Sequence, residues 1–90
     1  MIKVIKFYGP TCPSCDIVEK NIKPIRDEFS GRVDFQDIEA NAENSELFNK
    51  HNIRGIPAVI LEEDGLELDR WIGAFPMQLL KSRLKEVLND

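Results

Sequence analysis

The apolar pattern changes period close to the start of the chain, and that change constrains the fold more than any other feature. Residues 2–8 are β-branched or aromatic apart from two lysines, and Gly9-Pro10 stops the run. A short segment with apolar residues on both faces reads as a strand inside a sheet. From Pro13 onward the apolar positions become Val18, Ile22, Ile25 and Phe29, the spacing of one helix face. Pro24 lies within that helix and removes a backbone donor, so a kink is expected there. Ser30-Gly31 ends the segment near Phe29.

A strand feeding directly into a helix implies a layered α/β architecture. Residues 33–38 read as a second strand, and Asn44-Ser45 can cap a short helix carrying Leu47 and Phe48. Residues 56–61 read as a third strand. Asp64-Gly65 is the strongest hairpin signal in the chain and leads into a fourth strand over 66–72. Pro76 suits the first position of a last helix, along which Leu80, Leu84, Val87 and Leu88 repeat to the end. The order is β-α-β-α-β-β-α, an α/β fold with a four-stranded mixed sheet and three helices. Helices link the first three strands, so parallel pairing with right-handed crossovers is expected, with the hairpin adding an antiparallel edge. Ninety residues make a single domain over 1–90.

Composition narrows the function. Hydrophobic residues are 42% and charged residues 31%, which excludes collagen-like, mucin-like and wholly disordered chains. Twelve basic against 16 acidic residues give a net charge of −4, and such a surface repels phosphates, so no nucleic-acid partner is expected. No apolar run approaches the roughly 20 residues of a membrane helix. The N-terminus lacks the pattern of a secretory signal, so a cytoplasmic chain with no membrane partner is expected, most simply a monomer.

The informative motif is Cys12-Pro13-Ser14-Cys15, at the junction of the first strand and first helix. Residues three apart on a helix are neighbours, at a separation that suits a disulfide. Pro13 fits the first helical position, which makes Cys12 the N-cap. Its sulfur would then face the unpaired N–H groups of Ser14 and Cys15, and those donors with the positive helix end favour thiolate over thiol. An ordinary thiol is only about 3% ionised at pH 7, so this preference selects Cys12 as nucleophile. Cys15 would be buried and act as the resolving sulfur. Three other readings are open to the pair. A zinc half-site would need more ligands than His51 supplies, and no metal is expected. A passive structural disulfide gains little across so short a loop. Inert buried thiols are the third.

With the motif in place the sequence resembles the thioredoxin family over nearly its whole length. The most specific stretch is Asn52-Ile53-Arg54-Gly55-Ile56-Pro57-Ala58-Val59, followed by Asp64-Gly65 and Ile72-Gly73-Ala74. The resemblance implies a thioredoxin fold, a cis peptide at Pro57 packed opposite the cysteines, and a substrate-binding lip of Thr11, Ile56, Ile72, Gly73 and Ala74. Pro13, Ser14 and Pro57 would support the active site. It also implies reduction of protein disulfides through a Cys12–Cys15 couple, with no bound cofactor and a thioredoxin reductase or glutathione as electron donor.

The departures from the family are specific. Thr11 precedes the nucleophile as in many glutaredoxins, and Pro13-Ser14 replaces the common Gly-Pro. Lys6 stands where many thioredoxins carry a buried aspartate that helps move the second cysteine's proton. Asp16 stabilises the helix start but opposes ionisation of Cys12. A glutathione-dependent glutaredoxin and a non-catalytic interaction module are therefore the alternatives.

The remaining residues take bland readings. Lys6 is expected at the strand's end with its head in solvent, the other reading being electrostatic tuning of Cys15. His51 is read as a surface residue at a helix end. Tyr8 is equally a site-flanking or a core aromatic, Trp71 is a sheet cover, and Phe75 is either lip or helix staple.

Overall fold

A computed structural model describes residues 1–89; Asp90, the last position of the expected domain, lies outside the described residues. The elements are β1 (Ile2–Tyr8), α1 (Pro13–Glu28), β2 (Val33–Glu39), a single 3-10 turn (Ala42–Asn44), α2 (Ser45–Lys50), β3 (Ala58–Glu63), β4 (Leu66–Ile72) and α3 (Met77–Leu88). They form one four-stranded sheet in the order β2-β1-β3-β4. β1 is central, as its two apolar faces require. Its alternate residues feed two cores. Ile2 and Val4 join Val18, Ile22, Ile25 and Phe29 of α1 and Leu80 and Leu84 of α3 on one face. Ile5 and Phe7 join Ile38, Ala58 and Ile60 on the other, where Phe48 of α2 packs. Each fully buried Val, Ile, Leu or Phe among these contributes roughly 1.5–3 kcal/mol through removal from water.

One topological expectation is overturned. β1 and β2 are parallel, but β3 runs antiparallel to β1, with Phe7 opposite Ala58 and Ile2 opposite Glu63. The reason is length. The six residues of α2 rise only about 9 Å, whereas a strand of seven residues runs about 23 Å. So short a helix does not carry the chain back along the sheet, and β3 starts at the end where β2 stops. β4 is antiparallel to β3 and forms an edge.

Local boundaries differ in a few places. β3 begins at Ala58 rather than Ile56, because Pro57 has no N–H to give to a ladder. It extends to Glu63, and Glu62 is buried with a carboxylate oxygen 4.0 Å from the Lys3 ammonium. α1 runs unbroken through Pro24. Asn44 makes no side-chain cap; Asn41 instead accepts from the Asn44 amide at 3.0 Å and caps the 3-10 turn. Pro76 is the N-cap of α3 rather than its first residue. In the hairpin, Asp64 (φ 52°) and Gly65 (φ 86°) are both left-handed, the turn that matches strand twist.

Candidate active site

The site grows from the junction of β1 and α1. Thr11 is exposed and left-handed at φ 52°, an uncommon conformation for a β-branched residue, so backbone strain sits directly before the nucleophile. Cys12 returns to extended backbone, Pro13 opens α1, and the Cys15 amide donates to Cys12 Sγ at 3.2 Å. Cys12 is therefore the N-cap. Of the two amides expected to face it, the one from Cys15 makes the contact, while Ser14 Oγ lies 3.9 Å away. Cys12 and Cys15 are joined as a disulfide with Cα atoms 5.2 Å apart. The inward face of α1 that buries Val18 and Ile22 also buries Cys15, at 4% exposure, and leaves Cys12 half-exposed.

Apart from Thr11, the residues expected to form the lip lie on two segments. The Ile56–Pro57 peptide is cis and Pro57 is buried. The Gly73 amide donates to the Pro57 carbonyl at 2.7 Å, which ties the start of β3 to the end of β4. Ile72 is 53% exposed and Ala74 is exposed, with Ile56 and Gly73 half-buried beside them. Trp71 stacks on Phe75 with ring centroids 5.2 Å apart, both half-buried and packed against the larger core. His51 is half-buried with its ring 5.4 Å from Phe7, and its carbonyl accepts from Arg70 at 2.7 Å.

Lys6 corrects the reading of a solvent-reaching lysine. It is 4% exposed. Residues 2, 4, 6 and 8 share one face of β1, so Lys6 points at α1, where Glu19 takes its ammonium in a short ion pair. Asp37, its register partner on β2, lies 3.6 Å away, and the ammonium sits 5.2 Å from the Tyr8 ring centroid. Arg26 clamps both Glu19 oxygens at 3.2 and 3.3 Å and reaches Asp37 at 3.6 Å. The Arg26 guanidinium and the Lys6 ammonium hold the Glu19 carboxyl well below the usual range, at about 2. Glu19 and Asp37 were missed in the sequence. The available signal was Glu19 one turn beyond Cys15 and the matched lengths of strands one and two, which align Lys6 with Asp37.

Residues 1–86 match the family model described as Thioredoxin. The chain belongs to the thioredoxin family. It is 27% identical over 85 residues to thioredoxin M4, chloroplastic, of Arabidopsis thaliana, covering 94% of this chain and 44% of that one. It is equally 27% identical over 85 residues to a thioredoxin of Synechocystis sp., covering 94% of this chain and 78% of the other. The chain thus spans less than half of the plant relative but most of the cyanobacterial one. The crystal structure of thioredoxin from Trypanosoma brucei brucei superposes with a TM-score of 0.84 at 28% identity, over 100% of this chain and 77% of that one. With the Cys12–Cys15 pair at bonding distance at the head of α1, this member of the thioredoxin family is a thiol–disulfide oxidoreductase. The matches to thioredoxins do not favour the glutaredoxin alternative.

Proposed function

We propose that the protein reduces disulfides in other proteins as a monomer in a reducing, cytoplasmic setting, and is itself recharged by a thioredoxin reductase rather than by glutathione. The observation that carries this reading is the asymmetry of the pair. Cys12 is half-exposed at the positive end of α1, while Cys15, one turn on, is buried. An exposed sulfur with an amide donor can attack a partner disulfide, and a sealed neighbour can resolve the mixed disulfide without competing for the first attack. The exposed side chains of Ile72 and Ala74, on either side of the half-buried Gly73, suit an extended peptide segment, for which backbone pairing supplies affinity. Thr11 and Ile56 would border the same peptide.

The test is the choice of donor. Oxidised protein is offered NADPH with a thioredoxin reductase, or glutathione alone, and insulin disulfide reduction is followed. Turnover with the reductase and little with glutathione is expected. Fast reduction by glutathione alone overturns the reading.

A further inference from the structure

Cys15 lines a cavity of about 250 Å³ together with Lys6, Tyr8, Asp16, Glu19 and Asp37. The floor holds the two buried members, Cys15 and Lys6, while Asp16, Glu19 and Asp37 are more exposed. That volume has room for several water molecules, and its walls mix polar groups with apolar stems. During reduction of a partner, Cys15 must lose a proton before it can attack. Glu19 is poorly suited to take it, since Arg26 and Lys6 keep that carboxylate charged far below neutral pH. Lys6 offers something different, a fixed positive charge on the same cavity.

We infer that Lys6 is a positioning residue that stabilises the Cys15 thiolate across the cavity, with cavity water carrying the proton out. Glu19 and Asp37 hold the ammonium in place, and the Tyr8 ring covers it. The charged and titratable groups facing Cys15 are Lys6 and Tyr8 from β1, Asp16 and Glu19 from α1, and Asp37 from β2, with Arg26 behind Glu19. Cys15 gives its proton to water, and its thiolate attacks Cys12 Sγ in the mixed disulfide. The bond from Cys12 to the partner breaks as the Cys12–Cys15 bond forms. The partner sulfur leaves with the electron pair and takes a proton from solvent. The protein dithiol has been oxidised and the partner disulfide reduced by two electrons.

This inference rests on the reducing direction proposed above, but its test needs neither a reductase nor a protein partner. Reduced protein is mixed with a chromogenic aromatic disulfide in a stopped-flow cell. The first dye equivalent reports attack by Cys12, and the second reports resolution by Cys15. Lys6→Met is expected to leave the first phase unaltered and slow the second by about tenfold at pH 7, the effect of one unit in thiol ionisation. Titration of the Cys15 thiol by nuclear magnetic resonance in the free dithiol is expected to move upward. Glu19→Gln removes an anion from the same cavity, so it is expected to speed the second phase and move that titration downward. If Lys6→Met does not fold, Glu19→Gln decides alone, since Lys6 and Arg26 keep Asp37 as a partner. A second phase slowed by Glu19→Gln would make Glu19 the proton acceptor and overturn the inference, as would a Cys15 titration that Lys6→Met leaves in place.

Discussion

The backbone N–H of Cys15 donates to the sulfur of Cys12 across 3.2 Å, so the buried cysteine supplies the cap contact of the exposed one. The amide belongs to the backbone and survives replacement of the Cys15 side chain. Cys15→Ser is therefore expected to keep a reactive Cys12 and to trap its mixed disulfides with partners. In the reduced wild-type protein, limited alkylation at neutral pH is expected to label Cys12 well before Cys15. Peptide mass mapping reads the order, and equal labelling of both sulfurs would contradict the assignment of roles.

Asp16 lies in the first turn of α1, and its amide donates to the Cys12 carbonyl at 3.2 Å. Its negative charge favours the helix start and disfavours a thiolate nearby. Asp16→Asn is expected to lower the pKa of Cys12. Thiolate ultraviolet absorbance titrated in both proteins measures this, and an unchanged or higher value rejects it.

The ion-pair network around Glu19 predicts an acid-dependent loss of stability. The Glu19 carboxyl is lowered from 4.5 to about 2 by Arg26 and Lys6. A depressed carboxylate contributes stability that is present above its unfolded value and fades as pH falls toward its folded value. Stability is thus expected to decline from about pH 4.5 down to about pH 2. Glu67, lowered by Arg70, adds in the same direction. Glu19→Gln should be less stable at neutral pH and show a shallower acid decline. Urea unfolding across this range compares them, and parallel curves would exclude Glu19 as a source.

Gly9 connects the end of β1 to the lip. A Cβ at this position would lie 2.6 Å from Ile56 Cδ1, the far end of a flexible side chain. Gly9→Ala is expected to push the Ile56 side chain off its rotamer, at about 0.5–1.5 kcal/mol of stability. If Ile56 contacts protein partners, KM for a protein disulfide should rise while the rate with a small aromatic disulfide stays the same. Equal effects on both substrates would place Ile56 outside the docking surface.

Much of the fold and the redox pair was legible in the sequence, because both depend on near neighbours. β1 and β4 were read to their ends from alternation and turn residues, and Asp64-Gly65 marked its hairpin. Cys12 at the head of a helix followed from Pro13 and the spacing of the apolar face behind it. The direction of β3 was not legible, because it depends on whether a six-residue helix can carry the chain back across the sheet. Nor was the burial of Lys6. A lysine near a strand end can reach solvent in isolation; here α1 lies over it, and β2 in parallel register brings Asp37 to its side. The sequence by itself determined the order of strands and helices and put the cysteine pair at the head of the first helix. Only the tertiary structure decided which charges surround the second sulfur, because residues distant in the chain meet there only when the sheet and helix pack together.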